Sequence, residues 1–74
     1  MSITAELFHA NLRRFEKERG ITRSRLEADI NFTTGRLRMY EKRSTLPTGK
    51  VIDKIVDYFK IETIEMFEDW GEVE

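Results

Sequence analysis

An all-α domain with a helix-turn-helix at its centre is predicted by three observations. Residues 22–41 read TRSRLEADINFTTGRLRMYE, two short helical patterns parted by a break at Asp29-Ile30-Asn31-Phe32. Apolar residues elsewhere recur at three- and four-residue intervals, the period of one helix face. No segment alternates apolar and polar residues for long enough to argue a strand. At 74 residues the chain is expected to form a single domain, 1–74, of five helices around one small core.

The first helix takes Ser2 or Thr4 as its cap, carries Phe8, Leu12 and Phe15 on one face, and ends at Gly20. Met1 and Ile3 cover its start. His9 lies beside that stripe and reads as a surface or boundary residue; with no cysteine and no second histidine, neither a metal site nor a cofactor is expected. In the second helix Thr22 is the cap, Leu26 and Ile30 face inward, and Asn31 suits a left-handed turn. Thr33 then caps the third helix, which turns Leu37 and Tyr40 inward and leaves Thr34, Gly35, Arg36, Arg38 and Met39 outside. A polar loop from Lys42 to Thr45 leads to Pro47, which stops helix before it, and Thr48 caps a fourth helix with the stripe Val51, Ile52, Ile55, Val56 and Phe59. Ile61 breaks the period. Thr63 caps a short fifth helix whose apolar side is Ile64, Met66 and Phe67.

A net charge of −1 conceals a division along the chain. Residues 1–50 hold eleven of the thirteen Lys and Arg against six of the fourteen Asp and Glu, a balance of +5, whereas residues 51–74 stand at −6. The basic part is drawn to a polyanion and the acidic end faces away from it, although charge at 36% of a small helical chain also serves plain solvation. The longest apolar runs are two residues, which excludes a membrane span and the apolar region of a signal peptide and predicts a cytoplasmic protein. With no disulfide to brace so small a core, self-association is expected, through Met66, Phe67 and Trp70 of the acidic C-terminal segment; the competing placement puts Phe67 in the monomer core.

These landmarks, Gly20-Ile21-Thr22, Leu26, Ile30, Thr33, Leu37, Tyr40-Glu41, Pro47 and the Ile52/Ile55/Val56/Phe59 stripe, make residues 8–67 resemble the phage Cro/CI-type repressor family, also called Xre-like regulators, with an acidic tail at 68–74 beyond it. The resemblance implies a five-helix lambda-repressor-like fold with its helix-turn-helix at helices two and three. By position it makes Thr34, Gly35, Arg36 and Arg38 or Met39 the base-reading residues, and Thr22, Arg23, Thr33, Lys42 and Arg43 the phosphate contacts. Arginine can bond guanine through two acceptors, and a threonine methyl can meet that of thymine. Four positions depart from the family. Arg23 stands where glutamine is usual, and Arg43 where glycine is, so the loop there is expected to take another path. Glu27 replaces an alanine at a close helix crossing and is expected to snorkel out or open the angle. Glu16 replaces an arginine that pairs with the glutamate at Glu41, so two carboxylates meet; Arg13, Arg38 or Arg43 is the expected cation, and Glu16→Arg is expected to raise stability unless a basic residue already fills that place.

The function these features predict is sequence-specific binding of double-stranded DNA, as a phage or bacterial transcriptional repressor or Cro-like switch protein, a homodimer on a near-palindromic operator. From length alone, its control falls to concentration or to another protein. The alternative is a protein-interaction module of helix-turn-helix ancestry, such as an antirepressor or regulator-binding subunit, supported by Glu16, Glu27, the bare Gly35 and the acidic end. An enzyme is not predicted: there is no thiol nucleophile, no glycine-rich phosphate loop and no histidine pair, and Glu65, Glu68 and Asp69 read as a solvated face.

Overall fold

The computed structural model describes residues 3–69. Four α-helices follow one another, α1 (Ile3–Arg19), α2 (Arg23–Asp29), α3 (Arg36–Lys42) and α4 (Gly49–Phe59), then a single 3-10 turn at Thr63–Met66; the described residues hold no strand. The expected fifth helix is therefore corrected to one turn. Its carbonyls go elsewhere: Asn11 of α1 donates from Nδ2 to Met66 O at 2.9 Å and to Glu68 O at 2.8 Å, which ties the segment to α1 instead of letting it coil further. Glu62 and not Thr63 is its cap, its carboxylate and that of Glu65 each accepting from the other residue's backbone amide. Thr4 sits inside α1, while Ser2 lies outside the described residues.

All four helices end in the same way. A residue in the left-handed region, Gly20 (φ 68), Asn31 (φ 61), Ser44 (φ 52) or Lys60 (φ 61), follows each helix. The next amide then reaches back five residues: Ile21 to Glu16 O, Phe32 to Glu27 O, Thr45 to Tyr40 O and Ile61 to Val56 O, at 3.1, 2.8, 3.0 and 3.0 Å. This bond consumes a carbonyl that the helix leaves open, and it folds an apolar residue back on the core after α1, α2 and α4 (Ile21, Phe32 and Ile61). Gly20 and Asn31 suit the conformation; Lys60 bears the Cβ penalty. Arg43, where the family has glycine, keeps an ordinary φ of −91, and the left-handed residue is its neighbour Ser44.

The core runs along α1, with Ala5, Phe8, Leu12 and Phe15 buried against Leu26 and Ile30 of the α2 segment, Leu37 of α3, Ile55, Val56 and Phe59 of α4, and Met66. Phe15 stacks on Phe59 at 5.7 Å between ring centres, and Phe8 meets Phe67 at the same distance. Tyr58 donates from its hydroxyl to Asp29 Oδ2 at 2.6 Å, and Lys54 Nζ to Ile30 O at 3.4 Å, so α4 holds the end of α2 where the turn begins. The Tyr58–Asp29 bond is the main reason the Asp29 carboxyl lies below its ordinary range and the Tyr58 phenol above its own.

His9 corrects the expectation of a surface or boundary residue, for it is only 3% exposed. Its Nε2 donates to Thr45 O at 2.8 Å, which leaves Nδ1 as the acceptor of a neutral ring. Burial holds its pKa below the usual 6.5; the Thr45 carbonyl works against this, and the charges of Arg23 and Arg13 work with it.

Two outcomes follow from these contacts. Lys60→Gly removes the left-handed penalty and should raise unfolding stability by roughly 1 kcal/mol in a denaturant titration. The depressed His9 pKa means that the folded chain binds fewer protons there than the unfolded one. Its stabilising effect is complete above about pH 6.5 and lost as pH falls toward the folded value, so His9→Gln should flatten the decline in stability measured from about pH 7 to 5.5.

Candidate nucleic-acid interface

Two buried carboxylates decide how the helix-turn-helix is held. Glu27, on α2, is 1% exposed, so it does not snorkel out. Its Oε1 accepts from Gly35 N at 2.9 Å and its Oε2 from Leu37 N at 3.0 Å. The first amides of α3 are thus satisfied by a side chain of the preceding helix. This corrects the expectation that Thr33 caps the third helix: Thr33 offers only its carbonyl, to Arg36 N at 3.1 Å, and the helix starts two residues later than a cap at Thr33 requires. Gly35 occupies the cap position at φ 85, a conformation that suits glycine and aims its amide at Glu27. The clue available in the sequence was the pairing of a carboxylate at the alanine position with a glycine at a helix start.

Glu16 is the second, 8% exposed. Arg23 lies between it and Glu41, donating through Nε and Nη2 to the two oxygens of Glu16 and through Nη1 to Glu41 Oε1 at 3.4 Å. Arg13 forms an ion pair with the other Glu41 oxygen. Of the three cations expected to separate these acids, Arg13 is present; the central one is Arg23, and Arg38 and Arg43 are not involved. The arginine has in effect moved from α1, where the family carries it at position 16, to the start of α2, where Arg23 replaces the usual glutamine and Glu16 takes the vacated place; the two departures are one linked change. The Arg23 side chain, 14% exposed and bonded on both flanks, is turned inward, which removes it from the expected phosphate contacts.

With those acids occupied, the outer face of α3 is free. Arg36, Arg38, Lys42 and Arg43 are exposed, and none pairs with a carboxylate among the described residues. Arg36 leans over the Tyr40 ring at 5.9 Å from its centre. Thr33, Thr34 and Gly35 are exposed just ahead of the helix, whereas Met39 is half-buried. Thr22 caps α2, its Oγ1 accepting from Arg25 N at 3.1 Å, which leaves the hydroxyl proton to donate outward. Arg13, Glu16, Arg23, Arg38, Glu41 and Lys42 line an open cleft of about 590 Å³, four cations against two carboxylates.

The proposed self-association patch is not assembled as expected. Met66 is fully buried in the monomer core, and Phe67 is half-buried against it, because the Asn11 bonds draw this turn onto α1. Trp70 lies outside the described residues. Among those residues no helix is long and apolar enough to cross a membrane, and no cluster of acids and histidines could hold a metal ion.

Two helices joined by a tight turn, the second presenting unpaired cations, define a helix-turn-helix domain. The Helix-turn-helix family model HTH_3 matches residues 12–66, and the chain belongs to that family, of the Xre/Cro-CI type. The family consists of DNA-binding transcription regulators and is not typically enzymatic. Neither the curated proteins nor the solved structures returned a match.

The relocated arginine gives an outcome opposite to the one the family pattern implied. Glu16→Arg alone should lower stability by roughly 2 kcal/mol, because Arg23 then faces a like charge and loses its main partner. Adding Arg23→Gln should restore most of that loss, which thermal unfolding of the parent chain and the two variants would measure.

Proposed function

We propose that the chain is a sequence-specific transcriptional repressor or Cro-like switch protein, entering the major groove of double-stranded DNA with α3. The observation that carries this reading is the free state of Arg36 and Arg38: Glu16 and Glu41, which share a cleft with Arg38, are consumed by Arg23 and Arg13, and neither Arg36 nor Arg38 pairs with a carboxylate among the described residues, so both guanidinium groups remain available to base edges. In this proposal Thr34 and Gly35 lie against bases beside Arg36 and Arg38. Thr22, Thr33, Lys42 and Arg43 meet phosphates, and Met39, being half-buried, contributes least. The protein binds as a two-fold dimer whose third helices meet successive grooves roughly 34 Å apart on a near-palindromic site. Met66 being in the core, that contact falls to Phe67 and to Trp70, which lies outside the described residues, with the 64%-exposed Ile64 near Phe67 in sequence.

The rival reading, a module that binds another regulator, drew on Glu16 and Glu27. Both have structural roles inside the domain, as an ion-pair partner and a helix cap, so neither argues for a lost DNA face.

Retention on duplex DNA should fall steeply between about 50 and 200 mM salt, because every neutralised phosphate releases counterions. Arg36→Ala should cost roughly 1–3 kcal/mol on the preferred sequence and relax base choice, and Lys42→Ala should weaken all duplexes alike. Salt-independent retention, or an Arg36 variant with unaltered preference and strength in a selection from random duplexes, would exclude α3 as the reading element.

A further inference from the structure

We propose that Glu27 is a positioning residue that fixes where α3 begins and, through it, which side chains the helix presents. Three observations place it in that role. Its carboxylate is almost wholly buried and carries hydrogen bonds from two amides of one helix end, Gly35 N and Leu37 N. Gly35 sits at φ 85, outside the helical region, although nothing lies within 4 Å of where its Cβ would be; the conformation is therefore imposed by the bond to Glu27 and not by crowding. Finally, Thr33 has the chemistry of an N-cap and stands where a longer helix would begin, yet its hydroxyl takes no such bond.

The chain thus contains two competing starts for the same helix. With the Glu27 bonds formed, Thr33, Thr34 and Gly35 are a non-helical lead-in and Arg36 is the first helical residue. With them absent, Thr33 can cap a helix that takes in Thr34 and Gly35, which turns Thr34 about the helix axis and moves it relative to Arg36 and Arg38. The bonded start also draws the positive end of the helix onto an internal carboxylate, so less of that charge is offered to a phosphate. The effect on base choice rests on the DNA reading above; the choice of helix start does not.

A double-mutant cycle separates these two claims. Glu27→Ala should lower the folded-to-unfolded ratio roughly 5- to 30-fold, the range for a lost cap, and Gly35→Ala alone by a similar factor, because alanine is strained in the left-handed region. In Glu27→Ala/Gly35→Ala the loss should be no greater than in Glu27→Ala alone, since Gly35 is released to become helical, and the backbone chemical shifts of residues 33–35 should move to helical values. Losses that multiply, with residue 35 still left-handed in Glu27→Ala, would overturn the proposal. If Glu27→Ala does not fold, Glu27→Gln keeps one acceptor oxygen, and the same cycle on that background should show the same coupling at reduced size. In a selection from random duplexes, the double variant should prefer a different base at the position read by Thr34. An unchanged preference alongside a shifted helix start would overturn the specificity claim alone. A wild-type chain that fails to bind duplex DNA would overturn the DNA reading and the specificity claim built on it, and leave the coupling result standing.

Discussion

The carboxylate of Glu27 is the joint on which the helix-turn-helix turns. α2 and α3 are each only seven residues long, shorter than a helix that holds itself in water, so neither persists without being fastened. α2 is fastened at both ends: by Thr22 at its start, and at its finish by the Phe32 amide and by the Tyr58 and Lys54 contacts from α4. α3 has no such support on its outer side, and its N-terminal amides would face the cost of burial unpaired. Glu27 removes that cost from within. Leu37, fully buried and donating its amide to the same carboxylate, places the first inward side chain of α3 beside the residue that caps it.

A second constraint is electrostatic. Taking Glu16, Glu27 and Glu41 into or near the interior is tolerable only because each finds donors at once, two amides for Glu27 and two guanidinium groups shared by the others. The consequence reaches the surface. The acids that share a cleft with Arg38 are already engaged, and two of the eleven basic residues of the first fifty, Arg13 and Arg23, do the engaging. The free cations of α3 and the loop after it are what remains.

Much of this architecture was legible in the sequence, because it is written in local signals. The apolar stripes of α1 and α4, the Thr22 cap and the left-handed Gly20 and Asn31 depend on residues within a few positions of one another, where periodicity and turn chemistry apply. What was not legible depends on partners far along the chain or on a choice between two local options. Nothing near His9 announced that the Thr45 carbonyl would take its ring N–H, and nothing near Met66 announced that Asn11 would draw its turn inward. Thr33 is the instructive case. Its own chemistry favours a cap, and it lost the position to a buried carboxylate six residues earlier whose two bonds outweigh one hydroxyl.

The departures from the family pattern are therefore of two kinds. Glu16 and Arg23 relocate the arginine from α1 to the start of α2 while keeping an internal ion pair with Glu41, so the frame survives with its charges redistributed. Glu27 with Gly35 changes the frame itself, because it alters which residue is the first of the helix. A relocated internal cation leaves the outer side chains where they were and acts on stability. A moved helix start acts on presentation: Thr34 and Gly35 stand on a lead-in held by backbone bonds, and Arg36 has the whole first turn of α3 beneath it. For a surface whose task is to offer a few side chains at fixed angles to a groove, the second kind of change reaches further than the first.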